Sequence, residues 1–283
     1  MRIMAKNKPY QLGLYEKAMP STLSWEEKLN VLKSSGFDYL EISIDETDAK
    51  LARLDDEATI TELKVAIEKT GVPVLSMCLS GHRKYPLGSH DPKIRDKALE
   101  IMEKACILSV KLGIRIIQLA GYDVYYEDHD ESTVKNFEIN LKQCVRLASK
   151  YGVILAFETM ETLFMDTVRK AMVYVDQNNS PYLQVYPDLG NLTNASRISK
   201  ISVEDDLISA RGHIVAAHLK EIVEGKYREI PYGTGDTHYE EALRELKKQG
   251  VSLFVGEFWY VGQSEWKEDL MFANTYLRKI IET

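Results

Sequence analysis

Cysteine is scarce in this chain: three among 283 residues, at Cys78, Cys106 and Cys144. An odd number of widely spaced thiols inside apolar segments cannot form a disulfide framework and reads as reduced and buried, which predicts a cytoplasmic protein. Long apolar runs are missing too. None approaches the roughly 18–20 residues that span a bilayer, so no membrane partner is expected. The start, MRIMAKNKPYQLG, is basic but has no apolar core, so it is not read as a secretory signal. Positive charge does not dominate: the formal net charge is −7. An acidic chain repels a phosphate backbone, which argues against nucleic-acid binding, yet leaves room for a small anion held by a few local cations. Histidine is rare, with six residues, which excludes the His-rich multi-metal cluster of a nuclease. No glycine-rich loop follows the first apolar run, where GLYEKAMPS stands, so the phosphate loop of an open doubly wound sheet is absent.

What is present is a recurring unit. A helical segment ends at a glycine and an apolar, β-branched run follows at once: SSGFDYLEISI, KTGVPVLSMCLS, KLGIRIIQLAG, KYGVILAFET, ARGHIVAAHLK and KQGVSLFVGEFW. Glycine accepts the left-handed conformation that closes a helix. Continuous apolar runs fit strands covered on both faces, as in parallel sheets. Leu12–Tyr15 and Leu183–Tyr186 bring the strand count to eight. Helix starts are marked at Ser24-Trp-Glu-Glu27 and Thr59-Ile-Thr-Glu62, both of capping-box form, and at Asp91-Pro92. Residues 97–111 repeat apolar positions at helical spacing, and Trp266–Ile281 reads as a closing helix. With no linker or composition break, eight βα units over residues 1–283 predict one α/β domain, a (β/α)8 TIM barrel.

Charge interrupts the apolar strands at telling places. ILAFE ends at Glu158, LQVYPD at Asp188, IVAAH at His218 and LFVGE at Glu257. The C-terminal strand ends of a barrel ring one mouth, where barrel active sites lie. Buried carboxylates are costly unless paired or bound to a cation. Taken singly, Glu158 or Glu257 reads equally well as a cap or ion-pair partner, Asp188 as a turn residue, and His218 as a satisfied core histidine. Four at equivalent positions point to one divalent metal ion. Three oxygens and an imidazole suit Zn, Mn, Co or Mg without a sharp preference. Glu41 interrupts the second strand in the same way, either to contact the site or to bond a neighbouring strand. Trp259 can wall the pocket or simply pack in the core, and Tyr122 and Tyr125, in GYDVYY, can close over a bound ligand or simply line a loop.

The segments GLYEKAMP, SIDETDAKLARLD, LSMCLSGHRKYPLGS, GIRIIQLAGYDVYY, YPDLGNL and GHIVAAHLK resemble the L-xylulose-5-phosphate 3-epimerase family of ascorbate catabolism, also described as hexulose-6-phosphate isomerases. That family of L-ribulose-5-phosphate 3-epimerases lies within the xylose-isomerase-like barrels. The resemblance spans nearly the whole chain. It implies metal ligands at Glu158, Asp188, His218 and Glu257, with Glu158 and Glu257 as the acid/base pair. It also implies a homodimer and interconversion of L-xylulose 5-phosphate and L-ribulose 5-phosphate, a small-molecule sugar phosphate. The chain departs from the pattern at Glu221, where an Asp is expected, and in Thr-Met-Glu161 after Glu158. Phe164 and Glu224 stand where epimerases of unphosphorylated ketoses carry a Glu and an Arg, which argues against a free-sugar enzyme. For the phosphate, His82 and Arg83 follow the third strand and Lys220 and Arg228 the seventh, with Lys226 and Gly233-Thr-Gly235 in the same loop. Other readings of the same residues are an aldose–ketose isomerase, an inosose-type dehydratase, or a sugar-binding protein without catalysis.

Overall fold

The computed structural model describes residues 9–283. Its strands are β1 (Gln11–Tyr15), β2 (Tyr39–Ile44), β3 (Val74–Leu79), β4 (Ile116–Ala120), β5 (Ile154–Glu158), β6 (Leu183–Tyr186), β7 (Ala217–Leu219) and β8 (Leu253–Gly256). They form one sheet in the order β6-β5-β4-β3-β2-β1-β8-β7, all pairs parallel. The two ends meet through isolated parallel bridges, Val185 to Ile214 and Asp188 to His218, so the barrel is nearly closed. The (β/α)8 architecture expected from the repeating unit is the one observed.

Alternation along each strand explains the layout. Leu12, Leu14, Leu40, Ile42 and Ile44 point outward into the layer between sheet and helices, all 1% exposed or less. Each such side chain stabilises the fold by roughly 1.5–3 kcal/mol through burial. The alternate residues point inward, where Tyr15, Tyr39, Cys78, Ile116, Ala156, Tyr186, Ala216 and Val255 pack as a separate interior cluster. Gly13 makes that interior possible. A Cβ there would lie 2.5 Å from the Tyr39 ring, which stands across from it in register. On the inward rows the residue types turn polar toward the C-terminal ends, at Glu41, Ser76, Gln118, Glu158 and His218, and one residue past β8, Glu257.

Helix ends follow the sequence signals closely. Ser24 and Glu27 form a capping box at the helix Trp25–Ser34, and Asp91 caps Pro92–Leu112 with proline at the first position. Gly113 and Gly152 close the helices Pro92–Leu112 and Glu131–Tyr151 with φ of 77° and 70°. One start differs: the helix Glu57–Thr70 begins before Thr59, and Asp56 caps it by accepting from the Thr59 backbone N–H. Asp outcompeted the Ser/Thr-type pattern because its carboxylate is the stronger acceptor. The closing helix runs Trp266–Glu282. Among the described residues, no helix is long and apolar enough to cross a membrane.

Candidate metal centre and active site

Glu158 is the last residue of β5, Asp188 lies two residues beyond β6, His218 sits within β7 and Glu257 follows β8. The structure brings all four together at the C-terminal mouth, with one ligand atom of each within 4.8 Å of every other. All are buried, between 0% and 6% exposed. His218 Nδ1 is the focus. It lies 3.0 Å from Glu158 Oε1, 3.7 Å from Glu257 Oε2 and 3.9 Å from Asp188 Oδ2.

Local folding sets each of these side chains. Asp188 caps the helix Leu189–Ser199: its Oδ1 accepts from the Asn191 N–H at 2.7 Å, which turns Oδ2 into the cluster. Its turn-residue role and its site role are thus carried by different oxygens. The Asp188 backbone N–H donates to Thr159 Oγ1 at 3.0 Å, and Asn191 Nδ2 donates to the Thr159 carbonyl at 2.8 Å, tying β5 to β6. Gln118 Nε2 donates to Glu158 Oε2. On the far side of the imidazole, His218 Nε2 meets Glu41 Oε1 at 2.6 Å. Glu41 is fixed in turn by the Ser76 hydroxyl at 2.7 Å and the Tyr186 hydroxyl at 2.9 Å, both donating to Oε2. Of the two readings open for Glu41, the structure combines them: it bonds neighbouring strands and orients the site histidine.

Lys220 lies two residues past His218 on the same inward row. Its Nζ is 2.9 Å from Asp188 Oδ2 and 3.2 Å from Glu257 Oε2, and only 5% of the residue is exposed. The resulting field is uneven. Burial, then the neighbouring Glu257, push Glu158 above the usual carboxylate range. Burial raises Asp188 to about 7 against the pull of Lys220. Burial opposes ionisation of Glu257 as well, but Lys220 and His218 outweigh it and hold that carboxyl at about 2. His218 is raised well above its ordinary value because Glu41 and Glu257 overcome the desolvation that would lower it.

Asp188 Oδ2 and Glu257 Oε2 are buried without a hydrogen bond of good geometry, ion-pair proximity to Lys220 notwithstanding. Buried acceptors left in this way mark a missing partner. Three carboxylates and one imidazole around one point, with two oxygens unspent, fit a divalent cation, and this set can hold one. The Glu41–His218 contact is the carboxylate–imidazole support common behind metal-ligating histidines.

The adjoining cleft is lined by Tyr15, Lys17, Cys78, Ser80, Arg83, Glu158, Glu161, Asn191, Lys220, Arg228, Glu257 and Trp259, among others. Arg83 and Arg228, named from the sequence, are therefore at the cleft, as is Trp259. Lys226 is exposed and outside this lining. His82 is 5% exposed, with Nε2 on the Ala98 carbonyl at 3.1 Å, and burial lowers its pKa to about 4. It is absent from the cleft lining. Gln118, Ser76 and Asn191 were not picked from the sequence. Gln118 and Ser76 carried the same signal as Glu41, a polar residue inside an apolar strand.

Comparison with known proteins agrees with this geometry. The family model described as xylose isomerase-like TIM barrel matches residues 29–276. The chain belongs to that family, a class of TIM barrels. Within it, the chain belongs with the L-ribulose-5-phosphate 3-epimerases, and is an isomerase-class enzyme. It is 44% identical over 255 residues to L-ribulose-5-phosphate 3-epimerase UlaE of Salmonella typhimurium, covering 89% of this chain and 88% of the relative. It is 42% identical over 265 residues to the Escherichia coli protein of that name, covering 93% and 90%. Solved structures share the fold at lower identity. D-psicose 3-epimerase of Clostridium cellulolyticum H10, with D-tagatose, superposes with a TM-score of 0.80 at 18% identity, over 96% of this chain and 100% of that one. An L-ribulose 3-epimerase superposes with a TM-score of 0.74 at 16% identity, over 96% and 95%.

Proposed function

We propose that the chain epimerises C3 of a pentulose 5-phosphate, interconverting L-xylulose 5-phosphate and L-ribulose 5-phosphate. The observation that carries this reading is the buried Glu158–Asp188–His218–Glu257 set, with two of its glutamates beside the cleft. Full-length relatives at 42–44% identity bear the name of that activity. We assign the four residues as ligands of one divalent cation, Zn, Mn, Co or Mg. When bound, the cation supplies positive charge against the negative charge that builds on the ketose oxygen as C3 loses its proton.

The residues divide the remaining work. Epimerisation needs a base on one face of C3 and an acid on the other. Glu158 leaves β5 and Glu257 follows β8, so they approach the cleft from separate strands, and these two take those roles. Which of the two takes the C3 proton follows from the hand of the epimer bound, and the other returns a proton to the opposite face. Asp188, anchored by its cap, and His218, held by Glu41, keep the ligand set in place. Lys220 balances Asp188 and Glu257 rather than serving the phosphate, and His82 packs under the helix Pro92–Leu112. A cytoplasmic location is supported by three free buried thiols; a homodimer is supported by the resemblance alone.

The test is incubation of the purified enzyme with L-xylulose 5-phosphate in deuterated water, with and without chelator. L-ribulose 5-phosphate carrying deuterium at C3 is expected, with the product lost on chelation. Glu158→Gln and Glu257→Gln should each slow the exchange by at least about a hundredfold. Product free of C3 deuterium, or an aldose or a dehydrated sugar in its place, overturns the reading.

A further inference from the structure

We propose that the side-chain oxygen of Asn191 receives the C1 hydroxyl of the bound ketose, and so fixes the end of the substrate that carries no phosphate. The assignment rests on the ketose-phosphate reading above. Its first support is an unspent acceptor. Asn191 is the third residue of the helix Leu189–Ser199, is 1% exposed, and lines the cleft together with Glu158, Lys220 and Glu257. Its Nδ2 donates to the Thr159 carbonyl at 2.8 Å. That carbonyl can only accept, so turning the amide over would set two oxygens against each other, and Oδ1 faces away from Thr159. Among the described residues nothing donates to Oδ1, although it is buried. A buried acceptor left without a donor is costly and marks a missing partner.

The amide is also held firmly in place relative to the site. The Asn191 N–H donates to Asp188 Oδ1 at 2.7 Å, and the Asp188 N–H donates to Thr159 Oγ1 at 3.0 Å. Gly190, immediately before, lies so close to the end of β7 that a Cβ there would stand 2.8 Å from the Lys220 carbonyl and 2.8 Å from Ile222 Cγ2. Asn191 is thus registered to Glu158 through Thr159, to Asp188 through the helix cap, and to the strand of His218 through Gly190. An acceptor fixed in this way orients a ligand without being ordered itself at the moment of binding.

The choice of partner follows from what a ketose 5-phosphate offers. Oδ1 only accepts, so it takes a hydroxyl and not the C2 carbonyl or an ionised phosphate oxygen. The C2–C3 unit, where the proton moves, belongs between Glu158 and Glu257. The hydroxyls on C1 and C4 are left. C4 adjoins the carbon that bears the phosphate, and that charge is repelled by the carboxylates grouped with Asp188, three residues before Asn191. Lys220 does not relieve this, being committed to Asp188 at 2.9 Å and to Glu257 at 3.2 Å. C1 is the uncharged end, and it is the end that can approach this wall.

The experiment compares kcat/KM for L-xylulose 5-phosphate, its 1-deoxy analogue and its 4-deoxy analogue, using the full chain loaded with its cation. A site built to bond a hydroxyl rejects the analogue that lacks it, so the wild type should prefer the parent over the 1-deoxy sugar by roughly 10- to 100-fold. Asn191→Leu, similar in size but with no acceptor, should reduce that preference by at least about tenfold. Its affinity for the cation, read by competition with a chromophoric chelator, should stay within about threefold of wild type, short of the loss expected when a ligand's support is broken. An amide that only braces the fold would slow both sugars alike and leave their ratio unchanged. Asn191→Ala gives the same comparison should the leucine variant not fold. A wild-type preference below about threefold, a ratio unmoved by the substitution, or a change confined to the 4-deoxy analogue overturns the proposal. If the wild type converts none of the three, the reaction reading has failed and titration calorimetry decides. The 1-deoxy analogue should then bind the wild type at least about tenfold more weakly than the parent, and bind Asn191→Leu equally well. Equal binding of the two sugars to the wild type overturns the assignment.

Discussion

At the scale of single residues, the site is decided by what stands behind His218. An imidazole facing three carboxylates through Nδ1 needs its other nitrogen fixed, and Glu41 does this from 2.6 Å within a cage of Ser76 and Tyr186. Glu41→Gln keeps the size and an acceptor but removes the charge. It should weaken metal binding by about 10- to 100-fold, read by competition with a chromophoric chelator. Affinity within twofold of wild type would remove Glu41 from the positioning role. Glu158, Asp188, His218, Glu257 and Glu41 were all legible in the sequence because each breaks an apolar strand, and a buried charge needs a reason. Lys220 was legible as inward-facing by its two-residue offset from His218. Its partners were not, since the offset says nothing of the carboxylates arriving from β6 and β8. His82 shows the limit of proximity: it adjoins Arg83 in the 3-10 turn Ser80–Arg83, yet His82 bonds the Ala98 carbonyl while Arg83 lines the cleft.

Elements join at this mouth through shared buried charge. Glu16, in the 3-10 turn Glu16–Ala18 after β1, is 2% exposed and meets three cations. Lys28 from the helix Trp25–Ser34 lies at 2.9 Å, Lys50 from the helix Asp48–Ala52 at 2.8 Å, and Arg53 just beyond it at 2.9 Å. The Ser43 N–H of β2 adds a bond at 3.0 Å. Burial would raise Glu16, but Lys50, Lys28 and Arg53 prevail and hold it well below its ordinary 4.5. Lys50 is itself drawn down to about 8 by burial, and so stays charged in acid. A depressed carboxyl contributes stability that is full above its unfolded pKa and lost as pH falls toward the folded one. Glu16→Gln should therefore cost about 3 kcal/mol or more at pH 7 by stranding buried cations. The gap from wild type should narrow by about 2 kcal/mol at pH 3. Denaturant unfolding at the two pH values checks this, and a gap independent of pH would sink it. None of this cluster was read from the sequence, because its four members come from three separate segments and each alone looks like a surface charge. The Asp56 cap was missed because two overlapping start signals stood three residues apart, and the stronger carboxylate acceptor took the cap.

Across the whole molecule, closure and chemistry meet at one seam. Seven strand pairs form ladders, the β2–β3 one with a register shift between Leu40 and Glu41, whereas β6 and β7 touch through two isolated bridges and three backbone hydrogen bonds: Val185 to His213, Val215 to Val185, and His218 to Pro187. One of those bridges joins Asp188 to His218, two of the four ligands, and the others come from β5 and from the end of β8 on either side. A cation shared by these residues would clamp the least regular part of the barrel. Without it, three carboxylates repel one another across the same gap, relieved only by Lys220 and a protonated His218. Binding at about 100 times the dissociation constant adds roughly 2.7 kcal/mol of stability, which in a chain of this size corresponds to a Tm rise of roughly 4–5 °C. The gain should be local as well as global. In hydrogen exchange with and without metal, the amides of Val185, Val215 and His218 should gain more protection than those of β2 and β3, which lie on the opposite wall. A Tm unmoved by chelator, or protection spread evenly around the barrel, would show that the seam does not depend on the ligand set and that the four residues meet for reasons other than a shared ion.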